Sequence, residues 1–260
     1  MTGTVKLLLA ALVVTVPAKG QQGDHSFSGE YGVSFLGLPV ATSQFNSTFR
    51  DGAYSVKGAF SAAGLARIFD DTRGSISSSG RIADGAARPA RFHSDYTSGK
   101  KAYTIDIRFA GGDVASTRVT PPPKKRGKDW IAIRPRDLRD VADPLAVTMV
   151  GADSLDKVCG RKVRLYDSEM RADLTLTYVS SGSISVKGYE GPTVTCQLHF
   201  DPVSGYRKGR KAIDFVRTKS RIMVTFAPLG QTGVYAPIRA TVGTEIGTIT
   251  IQARRFEATE

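Results

Sequence analysis

The sequence predicts an all-β protein: a mostly antiparallel open or spiral β-barrel of about a dozen strands with two short helices. Three observations carry this. Short runs alternate apolar and polar residues, rich in Thr, Val, Ile, Phe and Tyr. The 27 Gly and 12 Pro recur between those runs as turn punctuation. Hydrophobic residues make up 41% of 260, which is enough apolar material for a core.

The strands follow in order. Tyr31, Val33 and Phe35 share one face of a first strand. The next run sets Phe45 and Phe49 on one face, with Gln44, Asn46 and Thr48 opposite. Asp51 and Gly52 form a two-residue hairpin turn, because Gly tolerates φ > 0. Tyr54, Val56 and Phe60 continue the apolar face. In residues 61–71, Leu65, Ile68 and Phe69 recur at helical spacing, which predicts a short helix. Tyr103, Ile105, Ile107 and Phe109 alternate with Thr104, Asp106 and Arg108, the clearest half-buried strand in the chain. Asp143 and Pro144 predict the N-cap and first turn of a second helix, through Val150. Leu174, Leu176 and Tyr178 share a face, as do Val194, Cys196, Leu198 and Phe200. Three further strands fall within residues 221–227, 234–242 and 246–256. Antiparallel strands in this number manage their edges by rolling or closing. Alternation shows an apolar face without deciding between a packed core and a lined cavity.

Residues 1–20 have the layout of a secretory signal peptide. Lys6 closes a short n-region, residues 7–16 form an h-region that is apolar but for Thr15, and Ala18 and Gly20 supply small residues before Gln21. Ten residues are too few to span a bilayer, which takes about 20. Cleavage near Gly20 and Gln21 would release a mature chain with no transmembrane segment into the periplasm. The expected mature unit is one β-rich domain over residues 25–256. Residues 121–128, three prolines followed by basic residues, form an exposed loop within it. Two β domains split at that loop are the alternative.

The two cysteines, Cys159 and Cys196, fit an oxidising compartment and are expected to form a structural disulfide. Neither has the close-spaced His or Cys of a zinc site, and no C-x-x-C is present.

Motifs for catalysis are scarce. There is no G-x-S-x-G, no H-x-x-x-H, no EF-hand loop and no phosphate-cradling loop. The three histidines, His25, His93 and His199, read as surface residues. We therefore expect no catalytic residue, no metal site, no cofactor and no enzyme. A hydrolase whose site assembles non-locally, with His93 or His199 meeting acids such as Asp167 or Asp173, is the rival in that class.

Charge is the strong compositional signal. The formal net charge is +12, and losing Lys6 and Lys19 with the leader lowers it by two. An exported basic protein meets anionic lipid and envelope polyanions rather than nucleic acid. Arg207, Lys208, Arg210 and Lys211 are the expected basic rim. Phe45, Phe49, Tyr54, Phe60, Ile105 and Ile107 are the apolar residues expected to line a groove. The resulting expectation is an envelope protein that binds or maintains an amphipathic or anionic component. A scaffold or protein-interaction module is the alternative, and oligomeric state is left open.

Several motifs carry a resemblance. Cys159-Gly160-Arg161 is followed by Tyr166-Asp167, Arg171 and Asp173. Cys196 precedes Pro202-Val203-Ser204-Gly205-Tyr206-Arg207. Then come Ala227-Pro228-Leu229-Gly230, Pro237-Ile238-Arg239 and Thr244-Glu245-Ile246-Gly247-Thr248, with Asp143-Pro144-Leu145 upstream. Over residues 29–256 this resembles the bacterial envelope family named domain of unknown function 3108. The resemblance implies a secreted, β-rich periplasmic protein, similar in style to spiral β-barrels that support the envelope. Ser168 stands where that family has Gly, and Tyr206 where it has His.

Overall fold

The computed structural model describes residues 25–64 and 71–259. The expected signal peptide and the centre of the expected first helix (Leu65, Ile68 and Phe69) lie outside the described residues.

Seven strands run as a meander: β1 (His25–Phe35), β2 (Leu38–Arg50), β3 (Ala53–Ala62), β4 (Arg73–Ala83), β5 (Ala86–Ser98), β6 (Lys101–Ala110) and β7 (Asp113–Thr120). Their turns use the backbone hand that hairpins favour. Asp51 and Gly52 have φ of 48° and 74°, and Asp84 and Gly85 have 52° and 71°. The chain then gives two-residue strands β8 (Trp130–Ile131) and β9 (Val150–Gly151). It continues through β10 (Arg161–Tyr166), β11 (Arg171–Val186), β12 (Tyr189–Ser204) and β13 (Tyr206–Arg207). An α-helix, α1 (Lys211–Thr218), precedes β14 (Ile222–Pro228), β15 (Val234–Thr244) and β16 (Gly247–Thr259).

The main sheet runs β10-β11-β12-β14-β15-β16-β1 and then in order to β7, taking strands from both sides of residues 121–128. All its strand pairs are antiparallel. β9 alters the expected architecture. Val150 pairs with Tyr235 of β15 on one side and with Ala86 of β5 on the other. The circuit β15-β16-β1-β2-β3-β4-β5-β9 is thereby a closed ring of eight strands. The open or spiral barrel expected from sequence is corrected to a closed eight-stranded barrel with extra strands outside the ring. A two-residue strand has no period to read, so alternation could not reveal the closure.

The second expected helix is corrected too. Residues 143–150 hold only a 3-10 turn, Ala146–Thr148. Asp143 Oδ1 accepts from the backbone N–H of Leu145 (2.8 Å) and Ala146 (2.9 Å), as an N-cap does. The β-branched Val147, Thr148 and Val150 then favour extended chain, and the turn feeds β9. The α-helix observed among the described residues is α1, which was read from sequence only as a charge cluster.

Two apolar clusters form the core. One fills the barrel around Phe27, Phe49, Tyr54, Ile107, Ile238 and Phe256. The other packs β12 and β14 around Val194, Cys196 and Phe226. The Cys159–Cys196 disulfide ties the segment before β10 to that second cluster.

Candidate functional site

A cavity of about 440 Å³ lies where the two clusters meet. Phe45 of β2, Val56 of β3 and Met149, just after the 3-10 turn, line it from the barrel. Leu174 of β11, Leu198 of β12 and Phe226 of β14 line it from the outer strands. Local sequence explains both its walls and its volume. Ile222, Val224 and Phe226 alternate inward along β14, while Ser43, Ser47, Ala236 and Ala240 are too small to fill the space they face.

Among the described residues, no Asp, Glu, Lys, Arg or His lines this cavity. Its one titratable side chain is Tyr31, whose hydroxyl donates to the Pro237 carbonyl at 3.0 Å. Burial pushes that hydroxyl's pKa well above its ordinary value, so it stays neutral. A volume near 440 Å³ is within the range of small-molecule pockets, and the lining excludes a charged occupant.

Of the six apolar residues expected to line a groove, Phe45 does so. Phe49, Tyr54 and Ile107 are buried core, Ile105 packs against that core, and Phe60 is half-buried outside the cavity. Leu174, Leu198 and Ile222 were missed as lining residues because an apolar strand face has the same period whether it packs or encloses space.

The expected basic rim is exposed, and none of its residues lines the cavity. Arg207 sits in β13, paired with Trp130, and its Nη2 lies 3.8 Å from Asp129. Lys208 donates its backbone N–H to the Asp129 carbonyl. Arg210 precedes α1 and Lys211 opens it. α1 packs on β12 and β15, with Val216 against the second cluster, and the chain enters the cavity wall four residues after the helix, at Ile222.

The residues of the rival hydrolase reading go elsewhere. His93 Nε2 lies 2.7 Å from Asp95, and its Nδ1 lies 3.3 Å from Asp106. His199 is exposed on β12 opposite Thr175. Asp167 Oδ1 accepts the N–H groups of Glu169 and Met170 in the β10–β11 turn. Asp173 binds Lys162 and Arg171. Within that turn, Ser168 has φ of 90°, a conformation that suits Gly and accounts for the residue expected there.

A family model described as protein of unknown function (DUF3108) matches residues 30–254. No curated protein matches the chain. Among solved structures, the chain is similar to a beta-barrel-like protein of domain of unknown function DUF1849 from Brucella abortus. Identity is 8% and the TM-score 0.49, with 91% of this chain and 98% of that one covered. It is also similar to a putative lipoprotein from Parabacteroides distasonis, at 9% identity and a TM-score of 0.32, over 89% and 95% of the two chains. With its strands, disulfide and family motifs in place from residue 30 to residue 254, the chain belongs to the DUF3108 family.

Proposed function

We propose that this chain is an exported, non-catalytic binding protein of the periplasm that takes up the apolar part of an amphipathic envelope component. The single observation that carries the reading is the cavity of about 440 Å³, whose lining among the described residues holds no charged side chain. An apolar ligand entering it leaves water at roughly 25 cal/mol per Å² of buried apolar surface. The signal-peptide pattern of residues 1–20 and a net charge of +12, two lower once the leader is gone, support a site of action beside anionic envelope surfaces. No described helix is long and apolar enough to cross a membrane.

The test is titration with a fluorescent naphthylamine probe, followed by displacement with a long-chain fatty acid. The parent protein should bind one probe per chain. Ala240→Phe, which fills the cavity from β15, should weaken binding tenfold or more and keep the circular dichroism spectrum. Absence of probe binding to the folded parent, or equal binding by the filled variant, would reject the cavity and favour a scaffold.

A further inference from the structure

The other face of β10 and β11 is charged. Lys162 and Arg164 alternate with Val163 along β10, and register places Arg164 beside Asp173 and Tyr166 beside Arg171. Arg88 of β5 and Asp140 complete a recess of about 440 Å³ at the β10 edge. Val163 lines both this recess and the apolar cavity, so the two spaces are about one strand apart.

Arg171 is the anomaly in the recess. Its side chain is 3% exposed, and Nη2 donates to Asp173 Oδ1 at 2.6 Å. Its Nε and Nη1 are buried with no hydrogen-bond partner, and Arg164 Nε is in the same condition. A buried guanidinium cannot shed its charge, so unpaired donors carry their full desolvation penalty. The carboxylates at hand are already engaged. Asp173 is shared between Arg171 and Lys162, whose Nζ lies at 2.7 Å, and Asp140 is taken by Arg88. Burial raises the pKa of Asp173, but the hydrogen bonds and charges of Lys162 and Arg171 outweigh this and hold it below its ordinary value. Four cations thus face two carboxylates, and Arg164 makes only a 3.5 Å contact to the Arg136 carbonyl.

We infer that this recess is a phosphate site, in which Arg171 and Arg164 donate to the oxygens of a phosphate group. Planar guanidinium forks match phosphate oxygens two at a time, and a phosphate dianion cancels the excess charge of two, a monoanion half of it. The inference rests on the recess itself and holds whether or not the apolar cavity is filled. Where that cavity takes an acyl chain, the recess stands close enough to hold the phosphate of the same molecule. It also moves the anion-binding role from the solvated residues 207–211 to a built site.

The experiment is calorimetric titration at low salt with inorganic phosphate, and separately with a short-chain phosphatidic acid below its micelle concentration. We expect saturable 1:1 binding. Arg164→Gln should weaken it at least tenfold, and Arg171→Lys, which keeps the charge and removes the fork, should weaken it similarly. Simultaneous reversal of Arg207, Lys208, Arg210 and Lys211 to Glu should leave it within twofold. Binding of inorganic phosphate identifies a site for the group alone; binding of the lipid only identifies a head-group site. Both support the inference. No binding of either by folded parent overturns it, as does binding that survives in folded Arg164→Gln or vanishes on reversing residues 207–211. Ala240→Phe separates the two readings, since it should abolish probe binding in the cavity and leave phosphate binding intact.

Discussion

Ser78 of β4 donates a hydrogen bond of 2.7 Å to Asp143 Oδ2, across 65 residues of chain and wholly inside the barrel. Tyr54 extends the line, its hydroxyl 3.1 Å from Ser78 Oγ. The barrel wall thereby grips the 3-10 turn that lines the cavity and leads into the closing strand.

Burial pushes the Asp143 pKa up from 3.8 to about 6, against the hydrogen bonds from Ser78, Ala146 and Leu145 that lower it. The folded state therefore prefers the protonated acid. The stability this contributes is complete below about pH 4 and is lost as pH rises through about 6. The full difference is roughly 3 kcal/mol at 1.36 kcal/mol per pH unit. Tyr54 stays protonated throughout, since burial and the Asp143 charge raise its pKa. Asp143→Asn keeps the cap and removes the titration. Urea denaturation at pH 5, 6 and 7.5 should show the parent losing ground to Asp143→Asn as pH rises. Parallel behaviour of the two proteins would contradict the assignment.

Ser168→Gly should stabilise the protein by about 1 kcal/mol, because Ser168 is held at φ of 90° where a side chain is strained. Differential scanning calorimetry at fixed pH reads this as a raised Tm. An unchanged or lowered Tm would mean that the Ser168 side chain compensates for its backbone.

Gly205→Ala should do the reverse. Gly205 has φ of 81°, and a Cβ there would run into the Glu169 carbonyl in the β10–β11 turn. A loss of roughly 2–4 kcal/mol is expected from strain and forced displacement together. Chemical denaturation beside Ser168→Gly gives opposite signs from two residues in neighbouring turns.

Arg161 fastens the barrel seam. Its Nη1 donates to the carbonyls of Gly85 (2.6 Å) and Gly151 (3.2 Å), and its Nη2 to that of Lys157 (2.7 Å). Arg161→Met should speed amide hydrogen exchange at Gly151, whose N–H bonds the Gly85 carbonyl, and in neighbouring β5 and β15. Exchange in the β2–β3 hairpin should not change. Uniform acceleration would show that the seam has no separate stability.

Reduction of the Cys159–Cys196 bond, or its replacement by two alanines, should cost about 4 kcal/mol in the loop-entropy account for a separation of 37 residues. Equilibrium urea unfolding with and without reductant measures it. A loss under 1 kcal/mol would mean that the second cluster already restrains the unfolded chain.

Local features were legible in the sequence. Ile107 and Phe109 are buried as the alternation of β6 requires, and the turn at Asp51 and Gly52 has the backbone its residues favour. Cys196 points inward beside Val194, as its strand face predicted. What escaped reading was non-local. The ring depends on Val150 meeting Ala86 and Tyr235, and two residues have no period. In α1, Ala212, Ile213, Phe215 and Val216 recur at helical spacing, but the segment is only eight residues long and its basic neighbours were read as a charged rim. Nothing in the spacing of Asp167, Arg171 and Asp173 marks Arg171 as buried. Its burial follows from Arg88, Asp140 and the β10 edge being brought together by the fold.

β1 is hydrogen-bonded along its length to β16, with Ser26 opposite Thr259. A ribosome delivers β1 long before β16. Until residues 247–259 emerge, β1 offers a bare strand edge, and bare edges recruit other chains. The barrel is thus a structure that translation cannot complete piecemeal. Its closure must wait for β16, and whatever shields that edge in the interval decides the yield of folded protein.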